Sequence, residues 1–339
     1  MEKIRIAING FGRIGRMTVR AMLKKKNFEI VAINDLTDTA TLAHLFKYDS
    51  VHGRYHGEVS SKSNEIIIDG KPIKVFSEKD PSLLPWGSLE IDVVLESTGK
   101  FIEAAKASAH IKAGAKKVII TAPLKSVDGD ETKTVVLGVN DEIISGDEKI
   151  ISNASCTTNN AAPMIKILDE NFGIESAFVT TIHAYTGDQN IHDAPHKDLR
   201  RARAAAVSII PTTTGAAKAL TDVFPHLEGK IGGAGIRVPV VCGSMTDITC
   251  VLKINATAEE INSAFQRAAS LEMKNILEFT SDPIVSVDIV GSPYSCIFDS
   301  QLTSSLGKTA KVVGWYDNET GYSNRLADLT QLLFSKVAV

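Results

Sequence analysis

The chain has 339 residues, 44% of them hydrophobic, with 37 basic and 40 acidic side chains and a formal net charge of −3. This length predicts a globular protein of two domains, and the balanced charge argues against a general nucleic-acid or anionic-membrane binder. No run of about 20 apolar residues predicts a membrane span, and the first residues lead into a strand, so we expect a cytoplasmic location and no membrane partner.

The first predicted unit is strand, turn, helix, strand. Residues 4–8 lean apolar, a glycine-rich turn follows, apolar residues recur at helical spacing to residue 23, and a second apolar run covers 30–33. This pattern predicts a βαβ unit with a right-handed crossover.

Short apolar segments continue to about residue 153. Asp69-Gly70 separates 65–68 from 72–75, which predicts a hairpin. Further strands are expected at 92–95, 118–120, 135–137 and 150–151, with a helix over about 103–113. Strands that alternate with helices predict a Rossmann-type, mostly parallel sheet.

The turn after the first strand carries a dinucleotide fingerprint. Gly10, Gly12 and Gly15 form G-x-G-x-x-G between a strand and a helix, and Asp35 ends the second strand. The glycines allow a tight turn, close approach of a pyrophosphate and helix-on-strand packing. A carboxylate at Asp35 favours NAD over NADP, because it can bind both ribose hydroxyls and repels a 2′-phosphate. The alternative is a glycine turn beside a solvated acid.

Beyond Cys156 the pattern changes. Longer β-rich segments at 177–182, 236–241, 247–254 and 311–315, with a helix over about 258–269, predict a second α+β domain with a mostly antiparallel sheet. Apolar residues at helical spacing over 326–333 predict a C-terminal helix that needs a partner surface. The domain boundary near 153 rests on this change of pattern alone.

Four cysteines are too few for a disulfide scaffold and form no C-x-x-C pair, so we expect no metal site. Cys156 follows a predicted strand in the hydroxyl-rich segment 152–160 and precedes a helical pattern. At a helix N-terminus its thiol pKa would fall below the usual value of about 8.5, as a nucleophile requires. The alternative is a structural cysteine.

Two further side chains are candidates for the same site. His183 ends an apolar strand and could act as the base that a thiol nucleophile needs, although a structural histidine has the same pattern. Arg237 lies between apolar residues, where a charged side chain needs a counter-charge or an anionic ligand. The segment 212–215, Thr-Thr-Thr-Gly before a predicted helix, is either an anion platform or only a helix cap.

Six stretches together resemble the phosphorylating glyceraldehyde-3-phosphate dehydrogenase family, in that family's order: INGFGRIGR, ASCTTN, TIHAYTGDQ, KDLRRARAAA, PTTTGAAKAL and WYDNETGYSNR. The resemblance implies Cys156 as nucleophile and His183 as its base. It implies Thr186 and Arg237 at the substrate phosphate, and Ser155, Thr157, Thr214 and Gly215 at inorganic phosphate. The positions that match cofactor contacts, besides the fingerprint glycines, are Arg13, Ile14, Asp35, Lys79, Thr121 and Asn318.

The resemblance also implies the domain plan and the assembly. Residues 1–153 would bind NAD, joined by a C-terminal helix over about 319–339, and 154–318 would form the catalytic domain of a homotetramer. The loop 185–208 would reach the cofactor region. Two departures are Asn160, where the family often has a second cysteine, and Ala194, which stands where NAD-specific relatives commonly have leucine and so leaves the strictness of NAD over NADP open.

The implied reaction is NAD-dependent oxidation and phosphorylation of glyceraldehyde 3-phosphate to 1,3-bisphosphoglycerate through a Cys156 thiohemiacetal and thioester. Two alternatives remain: an erythrose-4-phosphate dehydrogenase, which ends with water instead of phosphate, and a non-catalytic dinucleotide- or RNA-binding protein. The net charge of −3 argues against RNA binding as the main function.

Overall fold

A computed structural model describes residues 3–125 and 131–335 of the chain. The chain divides into two compact units, each with its own sheet. One unit holds the chain up to Val135, Glu142–Ala154 and the residues from Ser323 onward, and the other holds Val136–Asp141 and Ser155–Tyr322. Among the described residues, no helix is long and apolar enough to cross a membrane.

The first unit contains nine strands and three helices before residue 154 in the described part of the chain. The strands are β1 Ile4–Asn9, β2 Phe28–Asn34, β3 Val59–Lys62, β4 Glu65–Ile68, β5 Lys71–Phe76, β6 Val93–Glu96, β7 Lys117–Ile120, β8 Lys133–Thr134 and β9 Ile150–Ser152. The helices are α1 Arg13–Leu23, α2 Thr39–Lys47 and α3 Ala104–Lys112.

The nine strands form one sheet in the order β3-β4-β5-β2-β1-β6-β7-β9-β8. Neighbours from β5 through β8 are parallel, which confirms the predicted Rossmann-type sheet. Asn9 on β1 pairs with Asn34 on β2 and with Glu96 on β6, so three polar residues lie side by side at the carboxyl ends of adjacent strands. Ligands bind at this edge of open α/β sheets.

The predicted hairpin is confirmed, since β4 and β5 are antiparallel and Asp69 and Gly70 both have positive φ, of 49° and 76°. The strand predicted at 135–137 is wrong, because the strand is β8 and ends at Thr134. Val136 begins a turn. Its amide donates a hydrogen bond to Asn140 Oδ1, and its carbonyl oxygen accepts one from the Asn140 amide. Residues 135–137 are apolar because they are buried in this turn, not because they form a strand.

The second unit contains eight strands and the helices α4, α5 and α6 in the described part of the chain. Its elements are α4 Cys156–Phe172, β10 Ile174–Ala184, β11 Ile210–Thr212, α5 Ala216–Val223, β12 Ile231–Val238, β13 Ser244–Leu252, α6 Ala258–Ser270, β14 Leu277–Thr280, β15 Cys296–Asp299, β16 Ser304–Leu306 and β17 Thr309–Tyr316. The last helix, α7 Thr320–Ser335, belongs to the first unit from Ser323 onward.

The second sheet has the order β11-β12-β10-β13-β17-β15-β14, with β16 on β17. Most of its pairs are antiparallel, as predicted, but β10 pairs with β12 and β14 with β15 in parallel. The strand predicted at 236–241 starts at Ile231 and ends at Val238, because Pro239 has no amide hydrogen to continue the ladder. The parallel register of β10 and β12 places His183 directly beside Arg237.

Candidate functional site

The three fingerprint glycines have three different surroundings in the first unit. Gly10 has a φ of +93°, and a Cβ there would lie 2.8 Å from the backbone of Ser97 and Thr98. A Cβ on Gly15 would lie 2.4 Å from the Gly10 carbonyl oxygen, whereas a Cβ on Gly12 would meet nothing within 4 Å. The backbone at Gly12 therefore faces open space at the start of α1, where a pyrophosphate can approach the helix N-terminus.

A cavity of about 450 Å³ opens at this edge of the sheet. Four of the predicted cofactor positions line it, namely Gly10, Gly12, Asp35 and Lys79. The sequence analysis did not identify the rest of the lining, which consists of Asn9, Asn34, Leu36, Glu78, Ser97, Thr98, Lys100 and Phe101. Within the described residues the buried Ser97 hydroxyl has no hydrogen-bond partner, so the cavity offers an unused polar group to a ligand.

Asp35 is held in place by backbone amides. Its two carboxylate oxygens accept hydrogen bonds from the Phe11 amide at 2.8 Å and from the Thr37 amide at 3.0 Å. This fixes a negative charge at the wall of the cavity, which suits ribose hydroxyls. A dinucleotide with a free 2′-hydroxyl fits these residues.

The remaining predicted cofactor positions do not line the cavity. Arg13 forms an ion pair with Asp49, with nitrogen–oxygen distances of 2.6 and 3.1 Å. Burial alone would raise the pKa of Asp49, but hydrogen bonds from the His52 amide and from Arg13 lower it to about 2. Ile14 and Gly15 lie in the first turn of α1, and the Thr121 hydroxyl donates to the Glu96 carbonyl.

Asn318 lies in the second unit and is buried. Its Oδ1 accepts hydrogen bonds from the Ser244 hydroxyl at 3.0 Å and from the Gly243 amide at 3.3 Å. This orients the side-chain amide, and its NH₂ group has no partner in the part of the chain that the structure describes.

Cys156 is the first residue of α4, as the sequence predicted. The preceding Ser155 caps the helix, since its hydroxyl oxygen accepts the Thr158 amide at 3.0 Å. Cys156 is partly exposed, whereas the other cysteines, Cys242, Cys250 and Cys296, are buried. Burial raises the pKa of all three buried thiols, that of Cys250 to about 12. Among the four cysteines Cys156 is therefore the one that is not fully buried as a residue, although its thiol group is enclosed by protein.

His183 faces the Cys156 sulfur, with Nε2 at 3.5 Å from Sγ. Its other ring nitrogen, Nδ1, lies 2.7 Å from the Ala184 carbonyl oxygen and 2.8 Å from Arg237 Nη1. Nδ1 cannot donate and accept at once. When the Nδ1 proton is donated to Ala184, the lone pair on Nε2 faces the thiol, which is the form that a base requires.

Electrostatics in this pair differ from the sequence-based expectation. Burial raises the pKa of the Cys156 thiol, against the opposing effects of the Arg237 charge and the Thr157 amide. Burial, with the Arg237 charge in addition, lowers the pKa of His183 to about 4. The expected lowering of the thiol pKa by the helix N-terminus is therefore wrong for the protein without its ligands. At neutral pH the pair consists of a thiol and a neutral imidazole.

Arg237 donates from Nη1 to the Ala184 carbonyl oxygen at 3.0 Å. Within the described residues no carboxylate lies within ion-pair distance of its guanidinium, although Asp188 contributes a favourable charge nearby. A largely buried guanidinium without an ion pair is suited to bind an anion. This agrees with the anion site proposed from its apolar neighbours.

A polar network on the loop after β10 lies beside Arg237. The Thr186 hydroxyl donates to Asp188, and Asp188 accepts Arg201 Nη1 at 2.7 Å. Arg201 Nε in turn donates to the Thr212 hydroxyl at 3.0 Å. The network links Thr186, predicted at the substrate phosphate, to the segment before α5, and it includes Arg201, which the sequence analysis did not identify.

The residues predicted to bind inorganic phosphate already make contacts within the protein, so only some of their polar groups can face an anion. The Thr157 hydroxyl lies 2.9 Å from the Tyr316 hydroxyl and is buried. The Thr214 hydroxyl oxygen accepts the Ala216 amide, the first of α5, at 3.2 Å, and a Cβ on Gly215 would meet nothing within 4 Å. The backbone amides of these two helix N-termini are the groups that can face an anion.

Tyr316 was missed by the sequence analysis. Its hydroxyl joins Thr157 to Thr181, at 2.9 and 3.0 Å, and its ring lies edge-on to the His183 ring with centroids 5.9 Å apart. Tyr316 therefore packs against the imidazole while its hydroxyl is held by the two threonines. No spacing rule identifies it, because it comes from a strand far along the chain.

Comparison with known proteins gives concordant matches over both units. Residues 4–104 match the family profile "Glyceraldehyde 3-phosphate dehydrogenase, NAD binding domain", and residues 155–318 match "Glyceraldehyde 3-phosphate dehydrogenase, C-terminal domain". Glyceraldehyde-3-phosphate dehydrogenase 2 of Streptomyces avermitilis is 57% identical over 330 residues, 96% of this chain and 97% of the relative. Glyceraldehyde-3-phosphate dehydrogenase of Mycobacterium avium is 55% identical over 338 residues, 97% of this chain and 98% of the relative.

Proposed function

Since the chain belongs to the glyceraldehyde-3-phosphate dehydrogenase family, we propose that it oxidises and phosphorylates glyceraldehyde 3-phosphate to 1,3-bisphosphoglycerate with NAD as cofactor. We propose Cys156 as its nucleophile and His183 as the base. The observation that carries the assignment of these residues is the 3.5 Å approach of His183 Nε2 to Cys156 Sγ at the N-terminus of α4.

The first step is attack of sulfur on the aldehyde carbon. Because burial raises the pKa of Cys156 and lowers the pKa of His183 to about 4, the thiol proton passes to His183 during the attack rather than before it. A carbon–sulfur bond forms and the carbonyl oxygen becomes the alkoxide of a thiohemiacetal. The protonated imidazole then stabilises this oxygen.

Bound NAD supplies the acceptor for the hydride that leaves the thiohemiacetal carbon as the thioester forms. The residues that would hold it in the first unit are Gly10, Gly12, Asp35 and Lys79, which line the cavity. On the basis of the family resemblance we also propose Arg13, Ile14, Gly15, Thr121 and Asn318 as cofactor contacts. The open space at Gly12 supports a dinucleotide here, as does the Ser97 hydroxyl, which has no partner among the described residues.

The third step, after sulfur attack and hydride transfer, is attack of inorganic phosphate on the thioester, which breaks the carbon–sulfur bond and returns the Cys156 thiolate to take a proton from His183. Two anion positions are needed, one for each phosphate. We assign the substrate phosphate to Arg237 and Thr186, since Arg237 has no ion pair among the described residues. We assign inorganic phosphate to Ser155, Thr157, Thr214 and Gly215, at the N-termini of α4 and α5.

The functional form is proposed to be a cytoplasmic homotetramer. The segment 185–208, predicted from the resemblance to reach the cofactor region, carries the exposed apolar residues Ile191, Leu199 and Val207. Exposed apolar side chains grouped on one loop support a contact between subunits. Sedimentation of the purified chain tests the tetramer directly.

The function is tested by initial rates of NADH formation with glyceraldehyde 3-phosphate and with erythrose 4-phosphate, each with and without inorganic phosphate. We expect the glyceraldehyde substrate to react faster and its rate to depend on phosphate. A preference for erythrose 4-phosphate without phosphate dependence would assign the paralogous activity instead. If the chain binds dinucleotide or RNA but turns over neither substrate, the dehydrogenase proposal fails.

A further inference from the structure

A buried polar network lies beneath the dinucleotide cavity in the first unit, and the catalytic steps do not use it. Glu96, at the carboxyl end of β6, is 1% exposed, and His110 on α3 and Trp86 are fully buried. Trp86 Nε1 lies 3.0 Å from His110 Nδ1, and His110 Nε2 lies 3.0 Å from Glu96 Oε2. The three side chains form a row toward the cavity edge of the sheet.

The chemistry of the indole fixes every proton in this row. Because an indole nitrogen only donates, His110 Nδ1 must accept and carries no proton. The single imidazole proton is then on Nε2 and is donated to Glu96. His110 is therefore neutral in this arrangement, and the row has one direction, from Trp86 through His110 to Glu96.

Glu96 accepts hydrogen bonds on both oxygens. Asn9 Nδ2 donates to Oε2 at 2.5 Å beside His110, and the amide of Thr98 donates to Oε1 at 2.9 Å together with the Thr98 hydroxyl. Three N–H groups and one hydroxyl around one carboxyl group suit its acceptor-only carboxylate form. In the described part of the chain, no lysine or arginine lies within ion-pair distance of it, so these hydrogen bonds alone stabilise a buried charge.

The network ends at the two loops that line the cavity. On one side Glu96 holds Thr98, which follows β6. On the other, Asn9 Oδ1 accepts Asn34 Nδ2 at 2.7 Å, and Asn34 exchanges two hydrogen bonds with the backbone of Glu78, at 2.8 and 2.9 Å. Thr98 and Glu78 are both cavity-lining residues. The loop at Glu78 also carries Lys79.

We propose that Trp86 and His110 are positioning residues of the dinucleotide site, because they hold the buried Glu96 carboxylate that fixes the two loops around the adenosine half of the cofactor. Asp35 identifies this half of the site, since a carboxylate at the end of the second strand binds the adenosine ribose. The inference rests on the proposed dinucleotide site and adds residues that touch no ligand.

The decisive variant is Trp86→Phe, which keeps an aromatic ring against Phe76 and removes the N–H that His110 accepts. Residues that act through a network change binding by about 2- to 30-fold. We expect the Kd of ADP-ribose, measured by calorimetry on the full chain, to rise about fivefold or more. ADP-ribose carries the adenosine and pyrophosphate but no nicotinamide, so kcat at saturating NAD should change by less than about twofold.

The chain contains a matched control in its other tryptophan. Trp315 Nε1 donates to Asp299 at 3.0 Å in the second unit, so Trp315→Phe removes the same kind of hydrogen bond at a residue that does not line the cavity. We expect it to lower Tm without changing the Kd of ADP-ribose. A second pair of variants, His110→Gln and His110→Leu, distinguishes the effect of the hydrogen bond from that of side-chain packing. Glutamine retains an N–H for Glu96, whereas leucine does not. The glutamine variant should bind ADP-ribose more tightly than the leucine variant.

Three results would overturn the proposal. One is an unchanged Kd in Trp86→Phe, and another is an equal rise in Trp315→Phe, which would indicate a general loss of stability. The third is equal binding by the two His110 variants. Failure of the wild-type chain to bind ADP-ribose would instead overturn the proposed dinucleotide cavity, and this inference with it.

Discussion

The glycine turn of the first unit and the thiol site of the second are assembled over very different distances along the chain. Gly10, Gly12 and Gly15 lie within six residues, and their roles follow from backbone space. Cys156 and His183 are 27 residues apart, and Arg237 lies a further 54 residues along. A strand register, β10 against β12, brings the last two together.

The two sites accordingly differ in what they control, which is ligand binding in the first unit and reaction rate in the second. In the first unit the backbone and one fixed carboxylate shape a cavity, so substitutions there should alter which ligand binds and how tightly. In the second unit three ionisable groups control one another's charge: Arg237 opposes protonation of His183 and favours the Cys156 thiolate. Substitutions there should alter rates, and with them the dependence on pH.

The largest effect is expected for Cys156→Ser. A hydroxyl ionises far less readily than a thiol, whose ordinary pKa is about 8.5, so the variant should show no measurable oxidation while its Kd for NAD stays within about twofold. Stopped-flow rates and calorimetry measure the two quantities. Cys250→Ala, which removes a buried thiol from β13, is the control and should remain active. Turnover in Cys156→Ser above about a hundredth of wild type would exclude Cys156 as nucleophile.

His183→Asn should come next, with turnover lower by about 10²- to 10⁴-fold, the usual effect of removing a general base. Asparagine keeps a polar group in the strand but cannot take the thiol proton. The rate of inactivation by iodoacetamide should fall as well between pH 6 and 8, since the base no longer assists. His192→Asn, at an exposed position, should leave both rates unchanged. Identical inactivation profiles in wild type and His183→Asn would make His183 a structural residue.

The same histidine should affect stability at acid pH. Its pKa is about 4 in the folded protein and about 6.5 in the unfolded chain. Between these two pH values the histidine therefore binds more protons in the unfolded state than in the folded state. Stability therefore falls as pH decreases through this window, by about 2 kcal/mol from this group between pH 7 and 5. Urea unfolding of His183→Asn should show a smaller difference between the two pH values. An equal difference in both proteins would contradict the lowered pKa.

Arg237→Leu tests the anion site and its coupling to His183 together. Loss of charge-assisted hydrogen bonds worth about 1.5–3 kcal/mol should raise KM for glyceraldehyde 3-phosphate about 10- to 100-fold. Unphosphorylated glyceraldehyde brings no phosphate, so its KM should change little. Because the Arg237 charge contributes to the low pKa of His183, the acid limb of the rate profile should also move to higher pH for both substrates.

Arg203→Leu is the control, since Arg203 is an exposed residue paired with Asp193. It should leave both KM values unchanged. An equal loss of activity on the two aldehydes, with a lower Tm, would reassign Arg237 from anion binding to stabilising the fold.

The sequence predicted the parts of this molecule that depend on neighbouring residues. The βαβ unit, the hairpin at Asp69-Gly70 and the start of α4 at Cys156 follow from turn chemistry and periodicity, and the structure confirms them. The run at 135–137 was misread as a strand because a buried turn needs apolar side chains as much as a strand does.

Long-range features could not be predicted from these patterns. The register that aligns His183 with Arg237 depends on how two strands pair whose matched residues are 54 positions apart, and Tyr316 reaches the site from β17. The pKa of Cys156 was expected to fall because the helix N-terminus is visible in the sequence, whereas the burial that raises it is not. The proposed role of Arg237 in binding an anion was suggested only by its apolar neighbours.

The smallest effect, about tenfold, concerns cofactor choice in the first unit. Asp35 is fixed by the Phe11 and Thr37 amides at the wall of the cavity, so its charge cannot move away from a 2′-phosphate. We expect kcat/KM for NAD to exceed that for NADP by at least about tenfold, or 1.4 kcal/mol, and Asp35→Asn to remove most of this preference. Asparagine still offers an oxygen to one of the two amides, which limits the structural damage. Asp38→Asn removes a nearby carboxylate that caps α2 and does not line the cavity, so its cofactor preference should match wild type. Equal kcat/KM for the two cofactors in the wild-type enzyme would mean that Ala194 and its surroundings, and not Asp35, decide the preference.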